Sequence, residues 1–347
     1  MDAKPGRQYA TLRDVAQAAG VDISTVSRVL QNKGRVSDAT RARIMAASDT
    51  LGYQANPAAR ALKTSRSLTI LMVVPQIENP IFASAILGAE AEARRRGYAL
   101  VVAYDGGGNG SAIIRDVSNV NLIEGVIIAS FDEDDKLRQT LASTGRPYVI
   151  LNRFLPGDPN CVAIDTRAAA HNGVSHLIEL GHRRIGHLAG RLGRFNGEMR
   201  LQGWSDALED AGLERGQDLV AEAGYDPERV PQGVDRLLAA GVTAIHAATL
   251  LTGAAAIARL HVLGKRVPDD ISVVTMHDDL LARVVYPEVT TVALPTQMMG
   301  RVAAQRLVSL IEGDTDAPQG PAGTILLPPD DLIIRGSASR AICQKQP

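Results

Sequence analysis

Aromatic side chains are scarce in this chain of 347 residues: phenylalanine, tyrosine and tryptophan together make up 3%, with a single tryptophan. Ring surfaces for stacking on a ligand are therefore few. Cysteine is nearly absent as well. Cys161 and Cys343 lie far apart in sequence, which excludes a disulfide framework and a paired metal-ligand spacing. No apolar run reaches the roughly 18 residues that suggest a membrane span, so no membrane partner is expected. The opening MDAKPGRQYATLRD has no apolar signal-peptide core, and a cytoplasmic protein is expected. The glycine-rich GGGNG at 106–110 lacks the Lys-Ser/Thr of a phosphate-binding loop. Residues VVPQIENP, after the first apolar run of the body, carry no dinucleotide-binding glycines. No nucleophile elbow occurs. The expectation is no catalytic residue, no cofactor and no metal.

What is present is uneven in charge. The formal net charge is −1, yet residues 1–66 hold eleven Lys/Arg against five Asp, while the remainder carries an acidic excess of seven. A small basic head on a large acidic body suits a polyanionic partner for the head, unless the charges are scattered by chance. The length fits two or three domains, and a hydrophobic content of 45% is enough to build their cores.

The head, 1–55, contains three short helical patterns. Thr11 can cap a helix from Leu12 to Ala19, with Asp14 in its first turn favouring the dipole, and Gly20 ends it. Asp22 can cap a second, Ile23 to Gln31. After the loop NKGRV, Ser37 or Asp38 opens a third, which runs to about Leu51 and is closed by Gly52. Leu12, Val15, Ala16, Val21, Val26, Val29, Leu30, Ile44 and Ala47 can share one small core. Two helices joined through AAGVD and braced by a third make a helix-turn-helix. The second helix presents Ser24, Thr25, Ser27 and Arg28: hydroxyls that suit phosphate, and one long fork that can read guanine in a major groove. A helical hairpin that binds protein has the same spacing.

The stretch TLRDVAQAAGVDISTVSRVLQNKGRVSDATRARI, together with NPAARAL after it, closely resembles the DNA-binding head of the lac-repressor (LacI/GalR) family of bacterial regulators. The resemblance implies operator contacts from Ile23, Ser24, Thr25, Ser27 and Arg28 on the second helix, and from Ser37 and Thr40 at the start of the third. Asp22 departs from the family's frequent serine and places an acid near phosphate. Residues 56–66 form the linker. Asn56-Pro57 is a helix start, and small alanines let two such helices approach closely. By the resemblance this is a hinge helix whose Asn56, Ala59, Leu62 and Lys63 meet the operator, with Leu62 of each copy wedged into a central base step. A linker leucine anchored on the body is the alternative.

From 67 the pattern changes. LTILMVVP, YALVVAYD, GVIIAS and YVILN read as buried parallel strands, followed by RIGHLAG, AIHAAT and ISVVTM. Helices alternate with them, such as PIFASAILGAEAEARRRG, stopped by Gly97. This alternation implies two doubly wound α/β lobes. It resembles the periplasmic sugar-binding-protein fold that the family uses for its effector domain, through to LIIRGS. The expected architecture is a small all-α helix-turn-helix head plus hinge helix, joined to an α/β periplasmic-binding-protein-like body of two doubly wound lobes at 67–337. Lobe one is expected at about 67–165 plus 297–324, lobe two at about 166–296 plus 325–337, and a tail at 338–347.

In such a fold the ligand lies between the lobes, outside the carboxyl ends of the strands. Phe82 and Asn152 follow strands of lobe one, and by the resemblance Arg200 and Asp278 are effector-binding residues of lobe two. Arg, Asp and Asn across a cleft suit a polyhydroxylated ligand, because each can make two hydrogen bonds; taken singly, an inter-lobe ion pair or a loop cap would also account for each. Thr249-Leu250 stands where the family usually has Asn-Asp, and Met276-His277 stands before Asp278 in place of Gly-aromatic. A less polar wall is expected there. His176, His182 and His187 straddle a helix end and a strand, so a shared metal is not expected. The acids Asp132, Glu133, Asp134 and Asp135 precede a helix whose dipole they suit. The chain ends twelve residues after Arg335 without leucine heptads, which by the resemblance implies a homodimer rather than a tetramer. The expected function is a ligand-responsive regulator, a repressor in the family's commoner sense, on a palindromic double-stranded operator with a sugar-like effector. A sugar-binding receptor and a Rossmann-type enzyme are the other classes; the basic head opposes the first and the missing glycine fingerprint the second.

Overall fold

A capping box opens the first helix of the head. Thr11 accepts from the Asp14 amide, and the Asp14 carboxylate accepts from the Thr11 amide in return. The computed structural model describes residues 10–30, 35–53, 66–77, 79–106, 110–118, 122–129, 134–314 and 324–341. Helix α1 spans Leu12–Ala19 and ends on Gly20 in the left-handed region at φ +61°. Helix α2 spans Ile23–Leu30, and α3 spans Asp38–Thr50 with Ser37 as its cap. Val15, Ala16, Ala19, Val26, Val29 and Ile44 close one small core, with Leu12, Val21, Leu30, Val36, Ala47 and Tyr53 packed on it. Ala19, Val36 and Tyr53 are additions to the set legible in sequence. The proposed linker contacts Asn56, Ala59, Leu62 and Lys63 lie outside the described residues, as do Asp132, Glu133 and Cys343.

The chain divides into two compact units, Met1–Ser67 and Leu68–Pro347. The second contains two six-stranded sheets. The first has the order β11-β5-β4-β3-β1-β2, with β1 Thr69–Val74, β2 Ala99–Tyr104, β3 Gly125–Ile128, β4 Tyr148–Leu151, β5 Cys161–Ile164 and β11 Ile325–Leu327. The second has the order β12-β10-β9-β8-β6-β7, with β6 Ile185–Ala189, β7 Val220–Glu222, β8 Ala244–Ala247, β9 Ser272–Met276, β10 Thr290–Val292 and β12 Leu332–Ile333. All the pairings are parallel except β12 on β10. Strands such as TILMVV and GVII are apolar throughout because helices cover both faces of each sheet.

The chain crosses between the sheets three times, and the crossings run side by side. The Asp165 amide donates to the Leu327 carbonyl (2.8 Å), and the Asp330 and Ala293 segments exchange backbone bonds of 3.0 Å. One boundary differs from expectation. Strand β11 pairs with β5, so 325–327 belongs to the first sheet and the last crossing comes after Leu327. The reason is tertiary: ILL adds to an open edge of the first sheet, a choice its three apolar residues do not encode. The strands β5, β7 and β10 to β12 were not read from sequence; all but β5 are runs of two or three residues, too short to carry periodicity.

The helix at Pro80–Arg95 (α4) and the helix at Thr296–Glu312 (α5) pair in lobe one through glycine at the contact. A Cβ placed on Gly300 lands inside the Ala85 carbonyl, and one on Gly88 lands inside the Gln297 carbonyl. Gly300→Ala is therefore expected to lower the stability of the body by about 1–3 kcal/mol through overpacking. A urea midpoint equal to that of the parent would show that the two helices part at no cost.

Candidate functional site

Two regions answer to the sequence candidates. The first is α2 of the head. Ile23, Ser24 and Arg28 are exposed, and Thr25 and Ser27 are half-buried. Val26 and Val29 turn inward, so the polar residues share the opposite face. Arg28 donates to the Ser24 hydroxyl one turn back at 3.4 Å, a long contact that a better acceptor can replace. Ser37 and Thr40 do something else in this structure. Ser37 caps α3 by accepting from the Thr40 amide, and the two hydroxyls lie 2.9 Å apart.

The second region is a tight pocket of about 30 Å³ in the cleft between the lobes, well below the size of an ordinary small-molecule site, so a larger ligand needs the lobes to part. Asn79, Ile81, Phe82 and Asn152 line it from the first lobe, and Asn196, Arg200, Tyr225 and Thr249 from the second. It sits where such folds place a site. In each sheet the strand order reverses beside the strands whose ends reach the pocket, β1 in one and β6 and β8 in the other. Three helices begin here. Asn79 caps α4 (its side chain accepts from the Ile81 amide), Thr249 caps the helix Leu250–Val262 through the Thr252 amide, and Asn196 lies in the first turn of the helix Phe195–Asp210.

Arg200 is 2% exposed. Its guanidinium lies over the Tyr225 ring at 5.7 Å and donates to the Tyr225 hydroxyl at 3.2 Å. The ring has room because residue 190 is glycine: a Cβ there would stand 2.7 Å from the Tyr225 ring. The cleft is bridged by the Asn196 side-chain amide, which donates to the Asn152 carbonyl at 2.6 Å, and Asn152 holds a left-handed φ of +60°. Phe82 is 3% exposed and belongs mostly to the core of lobe one.

Three of the four expected effector residues, Phe82, Asn152 and Arg200, thus share the pocket, and Asp278 is not among its lining residues. The Asp278 carboxylate instead accepts from Arg335 at 2.6 Å and from Thr291 at 2.7 Å, tying the end of β9 to β10 and the C-terminal segment. Burial pushes its pKa up, and the hydrogen bonds of Arg335 and Thr291 more than offset this, holding it below the usual carboxylate range. The neighbouring His277 has φ +75° and is 3% exposed. Burial keeps its ring toward neutral, with Arg200 adding to the effect against Asp278 and Asp279. Tyr225 and Asn196 were missed in sequence. Tyr225 follows the three-residue strand β7, which has no signature of its own. Asn79 stands at a legible helix start, Asn-Pro.

The discounted signals also have places. His182 bonds Thr243, Ser272 and the Ser339 carbonyl, and among the described residues no group of His, Cys, Asp or Glu has the arrangement to hold a metal ion. Asp134 begins a helix, Asp134–Thr144. Cys161 is buried, which pushes its thiol up to about 11 and leaves it inert. No helix among the described residues is long and apolar enough to cross a membrane.

Comparison with known proteins matches the head and the body. Residues 11–56 match the family described as bacterial regulatory proteins, lacI family, and residues 174–338 match a periplasmic binding protein-like domain. The transcriptional regulator CelR of Thermobifida fusca is 36% identical over 90% of this chain and 95% of its own. A solved complex of CelR with cellobiose superposes with a TM-score of 0.71 at 34% identity, covering 95% of this chain and all of that one. The lac repressor dimer bound to operator and an anti-inducer superposes with a TM-score of 0.83 at 26% identity, covering 96% and 100%. With the helix-turn-helix and two-lobed body already in place, this identity over nearly the whole length means that the chain belongs to the lacI family of bacterial DNA-binding transcriptional regulators.

Proposed function

We propose that this regulator binds a palindromic operator as a homodimer and that a small polyhydroxylated molecule in the inter-lobe pocket controls its affinity for DNA. The observation that carries the reading is the pocket itself. Its walls come from two lobes joined by three parallel crossings, so a ligand touching both walls favours one lobe arrangement over another. The coupling is reciprocal, and operator DNA alters ligand affinity by the same factor. The family's commoner sense, repression, is adopted, in the cytoplasm where the DNA lies. No residue is assigned a catalytic role.

In the head, Ser24, Thr25, Ser27 and Arg28 are the contacts to base edges and phosphates, with Ile23 exposed beside them. Ser37 and Thr40 are offered as phosphate contacts through the start of α3, and Asn56, Ala59, Leu62 and Lys63 as the linker's contacts in the minor groove. Arg28→Ala is expected to cost about 1–3 kcal/mol of operator affinity and to relax base preference at one position of each half-site. Binding measured on operator variants checks this, and an equal loss on every sequence would make Arg28 a phosphate contact only.

In the body, Phe82, Asn152 and Arg200 are proposed as ligand contacts, with Asn196 and Tyr225 added. The experiment that tests the whole reading is a footprint on DNA upstream of this protein's own gene and its neighbours, with and without candidate sugars. Cellobiose comes first, because CelR is similar to this chain and is seen with it. Protection of a palindrome that one compound removes is the expected result. Protection that requires the compound would reverse the sense to corepression, and no protection at low salt would refute DNA control.

A further inference from the structure

Ile23 is an apolar side chain on a surface made of polar ones. Helix α2 has four large apolar residues, Ile23, Val26, Val29 and Leu30. Val26 and Val29 are buried in the core of the head and Leu30 packs on it, whereas Ile23 has no place in that cluster and is 42% exposed. At 3.6 residues per turn, Ile23, Ser27, Ser24 and Arg28 fall within one arc of about 140°, and Val26 and Val29 lie outside it. That arc is the face to which operator contacts are assigned above. Ile23 stands at one border of it, in the first turn. Arg28 stands at the other border, roughly 7.5 Å further along the axis.

A lone exposed isoleucine is ordinary on a protein surface. This one is set apart by its place. In a helix-turn-helix the amino-terminal residues of the second helix are the ones that meet base edges in the major groove. Its neighbour Asp22 is exposed and acidic, so the side chains at this end of α2 offer a phosphate neither a donor nor a positive charge. The major groove presents one group that suits an aliphatic side chain, the C5-methyl of thymine. Adenine, guanine and cytosine present amino groups and ring or carbonyl acceptors there. Isoleucine would cover those without bonding to them, and a covered, unbonded polar group costs free energy.

We propose that Ile23 reads a thymine methyl group in each half-site and is a specificity-determining residue beside Arg28. The proposal rests on the operator reading of α2 given above. The two side chains differ in what they recognise: Arg28 supplies hydrogen bonds to a guanine, and Ile23 removes a methyl group from water and disfavours the bases that lack one. Because Ile23 lies outside the core of the head, its burial adds to operator binding and not to folding.

The test starts from the palindrome that full-length protein selects from random duplexes at low salt. Each thymine of the half-site is then replaced in turn by deoxyuridine, which pairs in the same way and lacks the methyl group. At one thymine the dissociation constant is expected to rise about fourfold per half-site, the value of one buried methyl group. In Ile23→Ala the same replacement should change affinity by less than about 1.5-fold. Ile23→Asn, which keeps a similar size and loses the apolar surface, is expected to behave likewise, so the result does not hang on the folding of one variant. Arg28→Ala should bind more weakly than the parent and stay sensitive to the methyl group. If every thymine methyl proves silent, the proposal is overturned and the regulator stands. A methyl effect undiminished in both Ile23 variants would also overturn it, assigning the methyl to another side chain or to DNA bending. Failure to select any palindrome would instead refute the operator reading itself.

Discussion

Asp278→Ala should destabilise the body by about 3–5 kcal/mol, because it takes the close ionic partner from an arginine whose side chain is buried. The Arg335 side chain is 8% exposed and that of Asp278 14%, and Nη1 of Arg335 reaches Asp278, Thr291 and the Val289 carbonyl together. Removing Asp278 leaves Arg335 only the long ionic contact to Glu288 at 3.8 Å, and removing Arg335 leaves the Asp278 carboxylate only the Thr291 hydroxyl, in a poorly hydrated place. Arg335→Ala should therefore cost a similar amount, and the double variant less than the sum of the two. Urea denaturation of the four proteins measures this coupling. The resemblance assigned Asp278 to the effector. The geometry makes it a clamp between the end of β9 and the segment after β12, so loss of ligand response in Asp278→Ala should accompany loss of stability. An Asp278→Ala protein as stable as the parent and blind to effector would make ligand contact its main role. The folded pKa of Asp278 is depressed, so its contribution is present above the unfolded value near ~3.9 and is lost as pH falls below it.

Stability should begin to fall at a higher pH than any carboxylate explains, and the largest cause is a pair of histidines. His187 on β6 and His246 on β8 are both 0% exposed and stack at 5.1 Å with an interplanar angle of 14°. Trp204 stacks on the outer face of His187 at 6.0 Å. The Nδ1 atoms lie 3.1 Å apart, and Nδ1 of His187 also lies 3.3 Å from the His246 carbonyl. One proton serves this arrangement: His187 donates from Nδ1, and His246 accepts at Nδ1. Both Nε2 atoms are buried without partners. A second proton would put a charge in a dry site next to Arg200. Burial accordingly takes the pKa of His187 down to about 3, and that of His246 well below its ordinary value.

The unfolded histidines titrate near ~6.5. Between there and the folded values the unfolded chain binds more protons, so stability falls as pH falls. For His187 alone the loss on going from pH 7 to pH 3 is on the order of 4 kcal/mol. Urea midpoints taken from pH 8 to pH 4.5 should decline steadily below about pH 6.5. In the double variant His187→Leu, His246→Leu the decline should be clearly shallower, the remainder coming from His176, His182 and His277, whose rings burial also keeps toward neutral. An equally steep decline in that variant would assign the acid sensitivity elsewhere.

Much of this protein was decided locally. The three helices of the head follow from Thr11 with Asp14, from Gly20 and from Ser37, because caps and left-handed glycines act within a few residues of themselves. Their core was legible for the same reason: within each helix the apolar positions, 12, 15 and 16, then 26, 29 and 30, then 44 and 47, recur at helical spacing. Long apolar strands declared two wound sheets, the ends of those strands pointed to Phe82 and Asn152, and the resemblance pointed to Arg200. The placements that sequence left open depend on register between distant segments. His187 meets His246 because β6 and β8 pair in parallel with those residues opposite each other, a partnership across 59 residues. Asp278 belongs to Arg335, 57 residues on, only because the last crossing returns the chain beside β10. Tyr225 reaches Arg200 because a glycine at 190 leaves space for its ring. Caps, periodicity and charge are short-range and are written in the chain; which buried ion finds a partner is settled by packing between elements that the chain brings together from far apart.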